Sequence, residues 1–167
     1  SVALGGSLHP QVHAVPGLAD HREEPQAPVE VQYGPAHAVT LAADGWLAQW
    51  HGSGRAQVNS VHGQGVARLA QGLQVEAVAD DGLVEAARSL HHRFVLGVQW
   101  HPEWRVMQAP FYHAIFRAFG QAAGSTNRTD WIPDEFPNAP AQDGHAPRTE
   151  ESTLLRWLKA VSYTHLT

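Results

Sequence analysis

The sequence predicts an α/β fold, and three observations carry that reading. Residues 73–78 (Leu73-Gln74-Val75-Glu76-Ala77-Val78) alternate in polarity, Asp80-Asp81-Gly82 is a hairpin turn signal, and Leu83-Val84-Glu85-Ala86-Ala87 returns as a partner strand. The run Phe94-Val95-Leu96-Gly97-Val98-Gln99-Trp100 is apolar, too short for a lone helix, and rich in β-branched and aromatic residues, so it predicts a buried strand. After Trp104 the period changes. Pro110 suits a first helical turn, and Phe111, Ile115 and Phe119 recur at helical spacing with Phe116 beside them. That helix should pack on the sheet.

The remaining elements follow in chain order. Residues 1–8 read as the last turn of a helix stopped at Gly5-Gly6, where glycine permits a left-handed cap. Residues 9–28 are loop-like, and His21-Arg22-Glu23-Glu24-Pro25 is a polar turn of mixed charge. Val29, Val31 and Tyr33 alternate with polar residues, as do His37, Val39 and Leu41, which predicts two strands separated by Gly34-Pro35. Asp44-Gly45 breaks the run, and Trp46-Leu47-Ala48-Gln49-Trp50 is a short helical turn whose tryptophans fill core. Gln57-Val58 leads as a short strand into the polar, glycine-bearing loop Asn59-Ser60-Val61-His62-Gly63-Gln64-Gly65, whose glycines would let backbone approach a ligand. Residues 125–148, rich in Pro, Asn, Asp and Gly, predict an irregular linker. Thr149 opens a short amphipathic helix over 149–161, and 162–167 form an unstructured tail.

Composition narrows the function classes. The 167 residues suffice for one domain with a core, and 43% hydrophobic with 16% charged residues is ordinary for a globular protein. A formal charge of -5 without a basic run argues against nucleic acid as a partner. No stretch approaches membrane-spanning length and no signal peptide is visible, so the expected location is the cytoplasm. Cysteine is absent, which removes disulfides, zinc–thiolate sites and a thiol nucleophile from residues 1–167. The 12 histidines are scattered, and none pair at a helical metal-binding spacing beside a carboxylate, so neither metal nor cofactor is expected.

The candidate catalytic residues are His101 and Glu103. Pro102 ends the ladder and pushes His101 into extended backbone, where residues two apart leave on the same side. A histidine beside a carboxylate at a strand end suits a base and its orienter. Read from the residues alone, a His-Pro-Glu such as 101–103 is more often a polar loop, and 59–65 more often an ordinary polar turn.

The stretch Gly97-Val98-Gln99-Trp100-His101-Pro102-Glu103-Trp104 resembles the last catalytic motif of class I glutamine amidotransferase-like proteins, and within them the gamma-glutamyl-gamma-aminobutyrate hydrolases of the peptidase C26 group. Gly5-Gly6-Ser7-Leu8, His21-Arg22-Glu23 and Asn59-Ser60-Val61-His62-Gly63-Gln64 match the same proteins, so the resemblance spans residues 1 to about 123. It implies the C-terminal part of a flavodoxin-like domain, a mixed sheet flanked by helices, without its N-terminal strands and nucleophile elbow. Residues 1–124 would be that domain part. It also implies a Cys-His-Glu triad in which His101 and Glu103 take the last two roles, and a cysteine about two helical turns upstream of Ser1. Backbone groups around Ser60, Val61 and His62 would hold the glutamyl moiety, with His21 or Arg22 near a substrate carboxylate. The implied partner is a small-molecule γ-glutamyl substrate, and residues 1–167 alone would be inactive. Two alternatives stay open: an ammonia-donating amidotransferase subunit, and a non-enzymatic glutamyl-binding domain.

Overall fold

The computed structural model describes residues 2–124, so the linker at 125–148, the helix at 149–161 and the tail at 162–167 lie outside the described residues. Three helices accompany one seven-stranded sheet, with β3 to β7 running consecutively: β1 (Ser7–His9), α1 (Val29–Gln32), β2 (His37–Leu41), α2 (Trp46–His51), β3 (Arg55–Val58), β4 (Gly65–Arg68), β5 (Leu73–Ala79), β6 (Val84–Ser89), β7 (Leu96–Val98) and α3 (Pro110–Ala122). The α/β class stands. The sheet order is β1-β4-β6-β5-β2-β3, with β7 also paired to β6, and every pairing among the described residues is antiparallel.

The β5–β6 hairpin is the centre of the sheet, and its turn is the expected one. Gly82 sits at φ +92, Gly82 N donates to Ala79 O, and Asp81 Oδ1 accepts from Leu83 N at 3.0 Å. Left-handed backbone of this kind favours glycine, and an aspartate beside it closes the turn locally. One core lies between sheet and helices. Val39, Leu41, Leu47, Val58, Ala77 and Ala86 meet Trp100, Phe111, Tyr112 and Ile115. Pro110 stands at the first turn of α3, as its fixed φ suits.

Four expectations change. Val29, Val31 and Tyr33 do not form a strand; residues 29–32 are a helical turn. Val31 N and Gln32 N donate to Pro28 O, and the valines stay half exposed or more. A short alternation with no ladder beside it gives way to local hydrogen bonding. Gly34 then ends the turn, where a Cβ would lie 2.9 Å from Glu30 O. Gly5 does stop a short 3-10 turn at φ +87, but Ser7 to His9 continue as β1 against β4, a pairing that residue patterns did not announce. The loop after Val58 is shorter than expected because Gly65 opens β4. The strand at 94–100 narrows to Leu96–Val98 and is half-buried. Phe94 leaves it to stack on Trp46 and Trp50 (ring centroids 5.4 and 6.3 Å), both of which are partly buried.

A buried carboxylate ties α2 to this sheet. Glu76 Oε2 accepts from Leu47 N at 2.9 Å, and Oε1 lies 2.6 Å from Arg88 Nε. Arg88 also donates Nη2 to Gln74 Oε1 and covers the Trp46 ring at 4.8 Å. Glu76 is fully buried, and Arg88 and a backbone amide answer its carboxylate. Glu76→Gln should therefore lower unfolding free energy by about 3 kcal/mol. Val31→Ala on exposed α1 should change it by no more than about 0.5 kcal/mol. Urea unfolding of the two variants measures the contrast.

Candidate active site

The strand end is built in steps from β7. Gln99 N donates to Glu85 O at 2.8 Å, extending the pairing to β6 by one residue. Trp100 is buried against Phe111, with ring centroids 6.1 Å apart. The ladder then stops and the chain turns. Pro102 is buried, Trp104 N donates to His101 O, and Arg105 takes a positive φ of 48. His101 Nδ1 lies 2.6 Å from Glu103 Oε1. The two side chains meet, as the spacing led one to expect, but across a turn rather than along extended backbone. A carboxylate can only accept, so Nδ1 carries a proton, and in the neutral ring the lone pair is then on Nε2. Nε2 makes no hydrogen bond among the described residues, and about a quarter of the side chain is exposed.

Asn59 fixes the backbone beneath that imidazole. Its Nδ2 donates to His101 O at 2.9 Å, and its Oδ1 accepts from His101 N at 2.7 Å. Asn59 is fully buried, and its own amide donates to Tyr112 Oη at 3.2 Å. One side chain thus takes both backbone groups of His101 where the sheet no longer can. Tyr33 closes the other side, edge-on to the His101 ring at 5.5 Å and tilted on Trp104 at 5.0 Å. Burial, then the nearby charge of Glu103, push its hydroxyl up from the usual tyrosine range.

The loop after Asn59 brings the other expected residues close to this frame. Ser60 is buried and donates Oγ to His21 O at 2.7 Å, and His62 N donates to the same carbonyl at 3.1 Å. The amides of Ser60 and Val61 make no hydrogen bond among the described residues. Gly65 is glycine for packing rather than for ligand approach, since a Cβ there would lie 2.8 Å from both Leu83 Cδ1 and Val12 Cγ2.

His21 and Arg22 both have partners within the fold. Arg22 forks onto Asp20 through Nε at 2.9 Å and Nη2 at 2.7 Å. His21 is buried, with Nε2 2.7 Å from Asp81 Oδ2 and Nδ1 3.2 Å from Glu85 Oε1. His37 and His62 also turn Nε2 toward that oxygen, at 3.9 and 3.5 Å. The contact with Glu85 raises the His21 pKa against the opposing effect of burial, and Asp81 adds to the rise. Burial pushes Asp81 up, and hydrogen bonds from His21, Ala19 N and Leu83 N outweigh it, holding the carboxyl at about 2. Glu85 follows the same pattern: burial raises it, and His21 and His62 bring it below the usual glutamate range.

Comparison with known proteins gives the family. The Peptidase C26 family model matches residues 1–103. The chain belongs to the peptidase C26 family. The gamma-glutamyl-gamma-aminobutyrate hydrolase PuuD of Escherichia coli (strain K12) is 45% identical over 119 residues, covering 71% of this chain and 47% of that protein. The gamma-glutamyl-gamma-aminobutyrate hydrolase of Shigella sonnei (strain Ss046) matches to the same extent. The chain thus spans about half the length of these C26 relatives. Among solved structures, the acivicin-bound glutaminase domain of a Trypanosoma brucei CTPS is similar at TM-score 0.44 and 22% identity, covering 67% of this chain and 47% of that one. No helix among the described residues is long and apolar enough to cross a membrane.

Sequence reasoning missed two residues that pack against or hydrogen-bond His101. Tyr33 was hidden by its assignment to a strand. Asn59 was visible as a loop polar group, but its two bonds to His101 span a long sequence separation that no local pattern encodes. Asn59→Ala should expose the His101 amide to solvent. Hydrogen exchange at that amide should accelerate, while exchange in β5 stays slow, and stability should fall by about 1–3 kcal/mol.

Proposed function

We propose that this chain carries the proton-transferring half of a hydrolase that cleaves the C–N bond of γ-glutamyl amides, with γ-glutamyl-γ-aminobutyrate or a related γ-glutamyl amine as substrate. The observation that carries the reading is the 2.6 Å contact of His101 Nδ1 with Glu103, which leaves Nε2 free on a backbone clamped by Asn59. The 45% identity to the PuuD hydrolase supports the substrate class.

The chemistry needs a nucleophile that residues 1–167 lack, since they contain no cysteine. In this reading a cysteine upstream of Ser1 supplies the thiolate. His101 Nε2 accepts the thiol proton as sulfur attacks the γ-carbonyl carbon, and returns it to the amine nitrogen as the C–N bond breaks. Water then attacks the thioester, giving its proton to Nε2, and the thiol leaves as glutamate forms. Glu103 holds the Nδ1–H tautomer and stabilises the imidazolium of each half-reaction. The Ser60 and Val61 amides are free donors suited to the carboxylate end of the glutamyl group. His62 shapes the same loop, although its own amide is already engaged by His21.

Residues 1–167 alone should show no turnover of a γ-glutamyl amide. In the protein carrying the upstream segment, His101→Asn should lower kcat/KM by roughly 10²–10⁴-fold, and Glu103→Gln by less, because His101 moves the protons and Glu103 positions it. Steady-state assays with γ-glutamyl-γ-aminobutyrate and with glutamine check this. Preference for glutamine, or activity only with a synthase partner, would favour an ammonia-donating subunit instead. Turnover by residues 1–167 at an enzyme-like rate would contradict the cysteine mechanism.

A further inference from the structure

The cluster around Glu85 plays no part in the proton transfers described above. Its carboxylate is fully buried, and His21, His37 and His62 converge on it from three separate segments. Each imidazole has its outward nitrogen on an acceptor: His21 Nε2 on Asp81 Oδ2 at 2.7 Å, His62 Nδ1 on Gln64 O at 2.9 Å, and His37 Nδ1 beside Ala38 O at 3.4 Å. An acceptor on one nitrogen fixes the ring proton there and leaves a lone pair on the other. The inward atoms, His21 Nδ1, His37 Nε2 and His62 Nε2, are buried, as are both Glu85 oxygens, and none of the five has a well-formed hydrogen bond. Buried acceptors facing one another are costly unless a cation stands among them. A proton on His21 Nδ1 answers one contact only, and His37 and His62 each already turn Nδ1 to a backbone carbonyl.

We propose that this cluster is a structural site for a divalent transition-metal ion, Zn²⁺ by its donor set, held by His21 Nδ1, His37 Nε2, His62 Nε2 and a Glu85 oxygen. The spacing suits one ion. Ligand atoms about 2.0–2.2 Å from a tetrahedral zinc lie roughly 3.3–3.6 Å apart. The three nitrogens lie 3.2, 3.9 and 3.5 Å from Glu85 Oε1; the donor atoms of His21, His37 and Glu85 all fall within 4.8 Å of one another, and His62, which stands outside that group, would complete the shell by a small turn of its ring. Three imidazoles and a carboxylate select zinc over magnesium or calcium, which prefer all-oxygen shells. Asp81 behind His21 orients that ring as a second layer around the ion. Four protein donors leave no open position, so the ion braces rather than catalyses. It would tie the His62 loop and the His21 segment to β2 and β6, directly behind Asn59 and Ser60. His37, with about a quarter of its side chain exposed, lies on the side from which an ion can enter.

The test uses the full chain, untagged, stripped with a chelator and titrated with Zn²⁺, with Co²⁺ as a visible reporter. The expected result is one ion per chain, tetrahedral Co²⁺ bands, and a zinc X-ray absorption spectrum fitted by three imidazoles and one oxygen. Glu85→Gln and His62→Gln should abolish binding, and Asp81→Asn should weaken it about 10–100-fold. His101→Asn should leave it unchanged, which separates this site from the catalytic reading. Where a buried variant fails to fold, the spectra of the unaltered chain and the partly exposed His37→Gln decide. No uptake of Zn²⁺, a spectrum with two or fewer imidazoles, or binding lost in His101→Asn but kept in Glu85→Gln would overturn the site.

Discussion

The two hydrogen bonds from Asn59 to the backbone of His101 set the geometry on which the candidate site depends. A chain that leaves a sheet to turn through proline exposes one amide and one carbonyl that the ladder no longer answers. Buried and unpaired, each would cost about 1–3 kcal/mol. Asn59 answers both with one side chain, and Tyr112 of α3 answers the Asn59 amide in turn. Helix, loop and strand end are thereby joined at one residue, and His101 has little freedom to choose where its ring points.

Two histidine–carboxylate arrangements lie on this one sheet, and solvent access distinguishes them. His101 and Glu103 are each about a quarter to a third exposed, so substrate and protons can reach the imidazole. His21 sits between Asp81 and Glu85 with almost no exposure, so nothing larger than an ion can. The same pairing of imidazole with carboxylate thus suits proton transfer at the rim and cation holding inside. Gln99 links the two, because its amide bonds Glu85 O two residues before His101.

How much of this was legible in the sequence follows from the range of the interactions. The β5–β6 hairpin, α2 and α3 are local patterns, and Asp80-Asp81-Gly82, Trp46 to Trp50 and the Phe111–Ile115 spacing place each of them. The meeting of His101 and Glu103 was also legible, since the partners are two residues apart, though the turn that joins them was not. The pairing of β1 with β4 joins segments far apart in the chain and has no local signature. The alternation at Val29 to Tyr33 misled because a strand needs a neighbour, and none lies beside it. The histidines read as scattered because His21, His37 and His62 are separate in sequence, and Glu85 looked like an ordinary strand position. Only the fold reveals that they share one buried centre.

The most direct measurement on the catalytic assignment is the long-range proton–nitrogen spectrum of the His101 ring. Glu103 at 2.6 Å calls for the proton of the neutral ring on Nδ1, with Glu103→Gln loosening that preference. A spectrum showing the proton on Nε2 in the unaltered protein would contradict the assignment of that nitrogen as the base.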